Sequence, residues 1–162
     1  MRAKEIADSL AHWVGCGIFG SGGMRLTRGS DYGLRGMLYM TRLPRGQVCL
    51  VGEVAAAENL PESYLAKIFQ DLARSRLLVS HRGAKGGFSL VNDPREINLL
   101  QIIEAVEGPI AIVPCLDVRE GCNQAASCRV HETLDAAQSQ MVSVLAKTTL
   151  ADLMVNGDNG RH

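Results

Sequence analysis

At 162 residues, 46% hydrophobic and 21% charged, the chain fits one domain, or one domain with an appendage, and no apolar run is long enough to span a bilayer. An aromatic content of 4% argues against a surface that stacks single-stranded bases on exposed rings. The net charge of zero conceals an asymmetry: residues 24–88 carry ten Lys/Arg against five Asp/Glu, a net of +5, and residues 89–162 reverse this to −5, with five against ten. A basic half suits a polyanion, whose condensed counterions it releases, so nucleic acid outranks a membrane as the partner.

Residues 1–23 are unlike the rest of the chain. Ile6, Leu10 and Trp13 stand at helical spacing, and Gly20-Ser21-Gly22-Gly23 then leads directly into a second methionine, Met24. Glycine codons just upstream of a methionine resemble a translated ribosome-binding site, so residues 1–23 are expected to be a non-native or disordered extension, with Met24 the true start. Asp8 and His12 interrupt the only apolar stretch there, which makes a poor secretory signal. Five cysteines, an odd number, then point to a reducing, cytoplasmic setting where clustered thiols bind metal or do redox chemistry.

From Ser30 the pattern is helical, with Ser30 and Asp31 as caps and Leu34, Met37, Leu38 and Thr41 on one face, until Pro44 and Gly46 stop it. A short helix is expected from about Val51 to Glu58. After the tight turn Asn59-Leu60, another begins near Pro61 and runs through Arg74, burying Leu65, Ile68, Phe69 and Leu72. Two helices so joined are a helix-turn-helix signature. Residues 77–82 and 88–91 read as strands around a glycine-rich turn, forming a winged hairpin, and a further helix, about Leu99 to Val106, closes the domain at Gly108-Pro109. The fold expected is mainly α with a small β-hairpin wing: a winged helix-turn-helix domain over 24–108, a cysteine-bearing loop over 109–129, a dimerisation helix with a return segment over 130–153, and a disordered tail over 154–162. On the long helix, Leu134, Ala137, Met141, Val144 or Leu145, and Thr148 make an apolar seam suited to a homodimer.

Ser63, Lys67 and Gln70 fall at i, i+4 and i+7 opposite the buried stripe, so they share an outward face that can enter a groove; Tyr64 lies beside them. The hairpin tip, with Arg82, Gly83 and Lys85, is small and basic enough for a minor groove. Arg28 and Arg35 would be backbone-positioning contacts.

Cys115, Cys122 and Cys128 are separated by six and five residues, with His131 close behind. Thiolates suit iron–sulfur clusters, zinc and copper(I). Structural zinc sites favour closely paired cysteines, which are absent here, whereas longer gaps can wrap a bulkier iron–sulfur cluster; zinc and a metal-free thiol switch stay open. Three thiols leave a fourth position, for which the candidates are His131 and, from a partner subunit, Asp31. Cys49, between Val48 and Leu50, reads as a small buried hydrophobe.

The segments Met24-Arg25-Leu26-Thr27, Ser30-Asp31-Tyr32-Gly33-Leu34-Arg35, Ser63-Tyr64-Leu65 with Ile68-Phe69, Arg82-Gly83 with Gly86-Gly87, and the three cysteines followed by Thr149-Leu150-Ala151-Asp152-Leu153 resemble, as a set, the Rrf-type regulators. The resemblance covers residues 24 to about 153. It implies a homodimer joined through the long helix, a pseudo-palindromic DNA operator, and a cluster held by Cys115, Cys122 and Cys128. His131 stands where the iron–sulfur biogenesis branch of that family has its ligand to a two-iron cluster. Asp31 stands where the nitric-oxide-sensing branch supplies a carboxylate from the other subunit to a four-iron cluster, and the Asp31 to Arg35 segment leans toward that branch. Two departures stand out: the Cys115 to Cys122 gap is one residue longer than the family's usual pattern, and Ala66 replaces a glutamate of the biogenesis branch.

The expected function is therefore a DNA-binding transcriptional regulator, for instance a repressor, whose operator affinity a bound iron–sulfur cluster controls, sensing nitric oxide or redox and iron–sulfur status. The alternatives are a cluster-free thiol- or zinc-dependent regulator and, from another class, a cluster-carrying redox protein. No serine–histidine–acid grouping, phosphate-binding glycine loop or H-E-x-x-H pattern is present, so no enzyme is expected.

Overall fold

The computed structural model describes residues 27–83, 86–117, 122–123 and 125–155. The extension expected over 1–23 and most of the tail expected over 154–162 lie outside the described residues. Among these residues six α-helices and one hairpin follow in the order α1 (Arg28–Thr41), α2 (Val51–Glu58), α3 (Glu62–Arg74), β1 (Leu78–His81), β2 (Gly87–Leu90), α4 (Leu99–Glu107), α5 (Arg129–Lys147) and α6 (Leu150–Val155). The chain divides into two compact units, one including Ala111–Gln138, the other the segments ending at Ile110 and beginning at Ser139.

Helix α1 starts earlier than its sequence suggests. Thr27 is the cap: its hydroxyl accepts the Gly29 N–H at 3.1 Å. Ser30 instead sits inside the first turn, fully buried, and donates its hydroxyl to Glu107 of α4. The most deeply buried face of α1 is Gly29, Ser30, Gly33, Gly36, Met37, Met40 and Thr41, with Leu34 and Leu38 half-buried beside it. Glycines let two helices approach closely: a Cβ built at Gly36 would stand 2.6 Å from the Phe69 ring of α3.

Helix α2 keeps its expected bounds. Asn59 takes the left-handed conformation at φ 53°, and the N–H of Leu60 reaches back to the Ala55 carbonyl at 2.8 Å. This arrangement closes a helix in a tight turn and sends the chain into α3. Pro61 stands at the position just before α3, and Leu65, Ile68, Phe69 and Leu72 are buried as expected. The end of α3 repeats the device of α2: Leu77 N–H bonds the Leu72 carbonyl at 2.9 Å, with Arg76 left-handed at φ 61°.

The hairpin is antiparallel in the register Leu78↔Leu90, Val79↔Ser89, Ser80↔Phe88, His81↔Gly87. The structure adds a third strand contact: Cys49 and Phe88 exchange both backbone hydrogen bonds at 2.9 Å. The wing is thereby tied to the segment before α2, and Phe88 also meets Phe69 edge to face, centroids 5.3 Å apart. Asn98 caps α4 through a reciprocal pair with Gln101, each bond 2.9 Å, and Gly108 ends it.

Helix α5 stops at Lys147, so Thr148, expected to continue the apolar seam, lies in a break. Thr149 and Asp152 then cap α6 with bonds of 2.7 and 2.8 Å between Thr149 and the carboxylate. These bonds hold the Asp152 carboxyl below its usual range. Leu150 is fully buried, its N–H on the Ile97 carbonyl at 2.9 Å. The helix runs through Val155, past the expected boundary at 153.

Candidate DNA-reading surface and thiol segment

The turn at Asn59 and the buried stripe of α3 together fix which side of α3 faces out. Ser63, Tyr64, Lys67 and Gln70 are all exposed on it, opposite Leu65, Ile68, Phe69 and Leu72. Tyr64 packs edge to face on Tyr32 of α1, ring centroids 5.8 Å apart, so its ring is braced although partly open to solvent. At the wing, Arg82 and Gly83 are exposed; Gly83 has φ 111° and accepts the Gly86 N–H at 2.9 Å, a conformation that favours glycine. Lys85 lies outside the described residues.

Ion pairing divides the basic residues into two sets. Arg42 is 3.6 Å from Glu58, Arg45 is 3.5 Å from Asp93, and Arg74 pairs with Asp71. Arg35 pairs with Glu58 at 3.4 Å and donates to the Glu58 carbonyl. By contrast Arg28, Lys67, Arg76 and Arg82 are exposed and form no ion pair with a described residue. Sequence reasoning does not single out Arg76. It stands at the joint between α3 and the wing because its own backbone turns left-handed there, and an arginine carries no sequence signal for that conformation.

On the cysteine segment, Cys115 lies in a short 3-10 turn (Pro114–Leu116), and Cys122 and Cys128 flank another (Ala125–Ser127). All three thiols are half-buried and none is in a disulfide. Cys128 immediately precedes α5, and its sulfur accepts the His131 N–H at 3.4 Å. His131 Nδ1 is buried with no hydrogen-bond partner among the described residues. Among those residues no three of His, Cys, Asp and Glu gather around a single metal position. Asp31 is exposed on α1, 4.0 Å from Arg35.

On α5, Leu134, Met141 and Leu145 are half-buried, and Ala137 and Val144 are exposed; none of its 19 residues is buried. Cys49 is 2% exposed, and burial, with help from the Glu53 carboxylate, pushes its thiol above the ordinary range. Among the described residues no helix is long and apolar enough to cross a membrane.

A family model for Rrf2, described as an iron-dependent transcriptional regulator, matches residues 26–156. The chain is 30% identical over 130 residues to Rv1287 of Mycobacterium tuberculosis, named as an HTH-type transcriptional regulator, covering 80% of this chain and 81% of that one. Its structure is similar to that of CymR, the global cysteine regulator of B. subtilis, with TM-score 0.60 and 30% identity over 80% of this chain and 95% of that one. IscR of T. potens shares the fold, with TM-score 0.66 and 23% identity over 88% and 96% of the two chains.

Proposed function

Because the chain belongs to the Rrf2 family of DNA-binding transcriptional regulators, we propose that it binds a double-stranded operator as a homodimer, and that an iron–sulfur cluster on Cys115, Cys122 and Cys128 controls its affinity. The observation that carries the cluster reading is the residue set: three half-buried thiols outside any disulfide, with His131, whose backbone N–H meets the Cys128 sulfur and whose buried Nδ1 has no partner among the described residues. Soft sulfur with one imidazole suits an iron–sulfur centre, and His131 is the better supported fourth donor. When bound, such a group supplies a redox- and ligand-sensitive centre. The protein's own residues do the rest.

Ser63, Tyr64, Lys67 and Gln70 would face base edges and phosphates in the major groove, and Arg82, Gly83 and Lys85 would enter the minor groove, while Arg28 contacts the backbone. That Arg28, Lys67 and Arg82 form no ion pair with a described residue supports this reading, since a cation not already neutralised is the one that releases counterions. In the chain the cysteine segment follows α4 and precedes α5, so a change in its state would alter the spacing of the two reading units, and with it operator affinity.

The test is anaerobic purification with visible spectroscopy and iron and sulfide analysis. Single replacement of Cys115, Cys122 or Cys128 by Ala should abolish the absorbance; colour that survives all three sinks the site. A second reading, a cluster-free thiol regulator, draws on the likeness to CymR, which is named as a cysteine regulator and whose Staphylococcus aureus form has been solved oxidized. Colourless, iron-free protein whose operator binding responds to thiol oxidation would establish it.

A further inference from the structure

At the end of α2 the carbonyls are taken up one by one. Ala55 accepts the N–H of Leu60 at 2.8 Å and Ala56 that of Asn59 at 3.4 Å. The Glu58 carbonyl accepts Nη2 of Arg35, from α1. The same guanidinium has Nε and Nη2 each 3.4 Å from the Glu58 carboxylate, and Arg42, just past the end of α1, holds the other carboxylate oxygen at 3.6 Å. A cation over the last carbonyls complements the helix dipole, and a planar fork can grip a carbonyl and a carboxylate together where an ammonium cannot.

We propose that Arg35 is a positioning residue for DNA reading: by clamping the last residue of α2 it sets the direction in which α3 leaves Asn59, and so where Ser63, Lys67 and Gln70 stand, without itself neutralising a phosphate. This rests on the proposed DNA-reading surface. Glu58 at 3.4 Å and Asp31 at 4.0 Å offset the guanidinium charge, whereas Arg28, Lys67 and Arg82 have no such partner among the described residues. The clamp also explains why Glu58, adjoining a left-handed turn, has a side chain only 18% exposed.

The test uses the full chain and a duplex that the wild-type protein selects from a randomised double-stranded pool. If no duplex is selected, the DNA-reading proposal and this one fall together. Given a selected duplex, Arg35→Ala should weaken binding to it about ten-fold, leave binding to random duplex unchanged, and leave the slope of log affinity against log salt where it was. A phosphate contact would instead lower that slope by about one for each half-site and weaken both kinds of binding, and that result overturns the proposal. Arg35→Lys keeps the charge but not the fork, so it should bind as poorly as Arg35→Ala; full recovery by lysine would also overturn it. Glu58→Gln guards against a folding defect, because it leaves the backbone carbonyl in place. Combined with Arg35→Ala it should cost little more than Arg35→Ala alone, and independent, multiplying losses would show that the two residues do not act as one clamp. Active fractions, from stoichiometric titration, correct each affinity for misfolded protein.

Discussion

Glu107, the last residue of α4, accepts two hydrogen bonds from Thr27, the cap of α1: the backbone N–H at 2.9 Å and the hydroxyl at 2.8 Å. The buried Ser30 hydroxyl donates to the same oxygen. A carboxylate is thus held over the first turn of α1, where unpaired N–H groups and the helix dipole favour negative charge.

Removing the acceptor leaves a buried hydroxyl without its bond, so Glu107→Ala should destabilise the fold by about 1–3 kcal/mol. Thr27→Ala, which loses the cap, should cost about 1 kcal/mol. Urea titration of each variant and of the double variant checks this: the shared oxygen requires the double to cost less than the sum. Strictly additive losses would mean that the two residues act separately.

The approach of α1 to α3 at Gly36 predicts a second outcome. Alanine is the better helix former by about 1 kcal/mol. Its Cβ, however, would stand 2.6 and 2.9 Å from two carbons of the Phe69 ring, and overpacking of a filled core costs about 1–3 kcal/mol. Gly36→Ala should therefore be destabilising on balance, and Phe69→Leu should be less harmful in its presence than alone. A stabilised Gly36→Ala variant would show that the ring yields freely.

The same contact shows what the sequence could and could not disclose. The stripe of α3 was legible because Leu65, Ile68, Phe69 and Leu72 report their burial through apolar side chains at helical spacing. The deepest face of α1 was not, because Gly29, Gly33 and Gly36 mark close approach by having no side chain at all. Ser30 and Asp31 read as caps because they are of the right types; Thr27 takes that place because Glu107, eighty residues on, holds it there. The wing strands were legible from alternation and glycines, but the Cys49 bridge to Phe88 is a single residue pair and leaves no periodic trace. At the site, the outward face of α3 follows from geometry alone. The roles of Arg35 and Glu58 depend on a contact across 23 residues, which charge counting cannot see.

Cys49 yields a pH dependence. Burial raises its thiol first of all, the Glu53 carboxylate raises it further, and its own backbone hydrogen bond partly opposes them. The native state therefore holds this proton longer than the unfolded chain does. The associated stability is full below the unfolded thiol value and is lost as pH rises from about 8.5 toward the native value. Stability against urea should fall more steeply above about pH 8.5 in the wild type than in Cys49→Ala. Parallel curves for the two proteins would remove Cys49 from the account. At neutral pH a thiol reagent should spare Cys49 in the folded protein.

The two candidate fourth donors predict different spectra. His131 has a buried ring nitrogen lacking a partner among the described residues, whereas Asp31 is exposed beside Arg35. In anaerobically purified protein, His131→Ala should shift the visible bands and make the colour less stable, while Asp31→Ala should leave them unchanged. The reverse pattern would transfer the role to Asp31 of a second subunit and favour the four-iron assignment.

Helix α5 carries the last prediction. A helix of 19 residues with none buried has little tertiary packing of its own to hold it, and most helical stability in proteins comes from packing. Leu134, Ala137, Met141, Val144 and Leu145 recur at three-to-four spacing, and Val144 is 62% exposed, so the seam suits a second copy of the same helix. Val144→Glu would set two like charges against each other across such a seam. It should shift sedimentation from dimer to monomer and reduce operator affinity by more than ten-fold, because each reading unit would then bind alone. Ser139→Glu, on the opposite face of α5, should do neither. If Val144→Glu stays dimeric with unchanged affinity, the subunits meet elsewhere, and control of half-site spacing through the cysteine segment loses its mechanical basis.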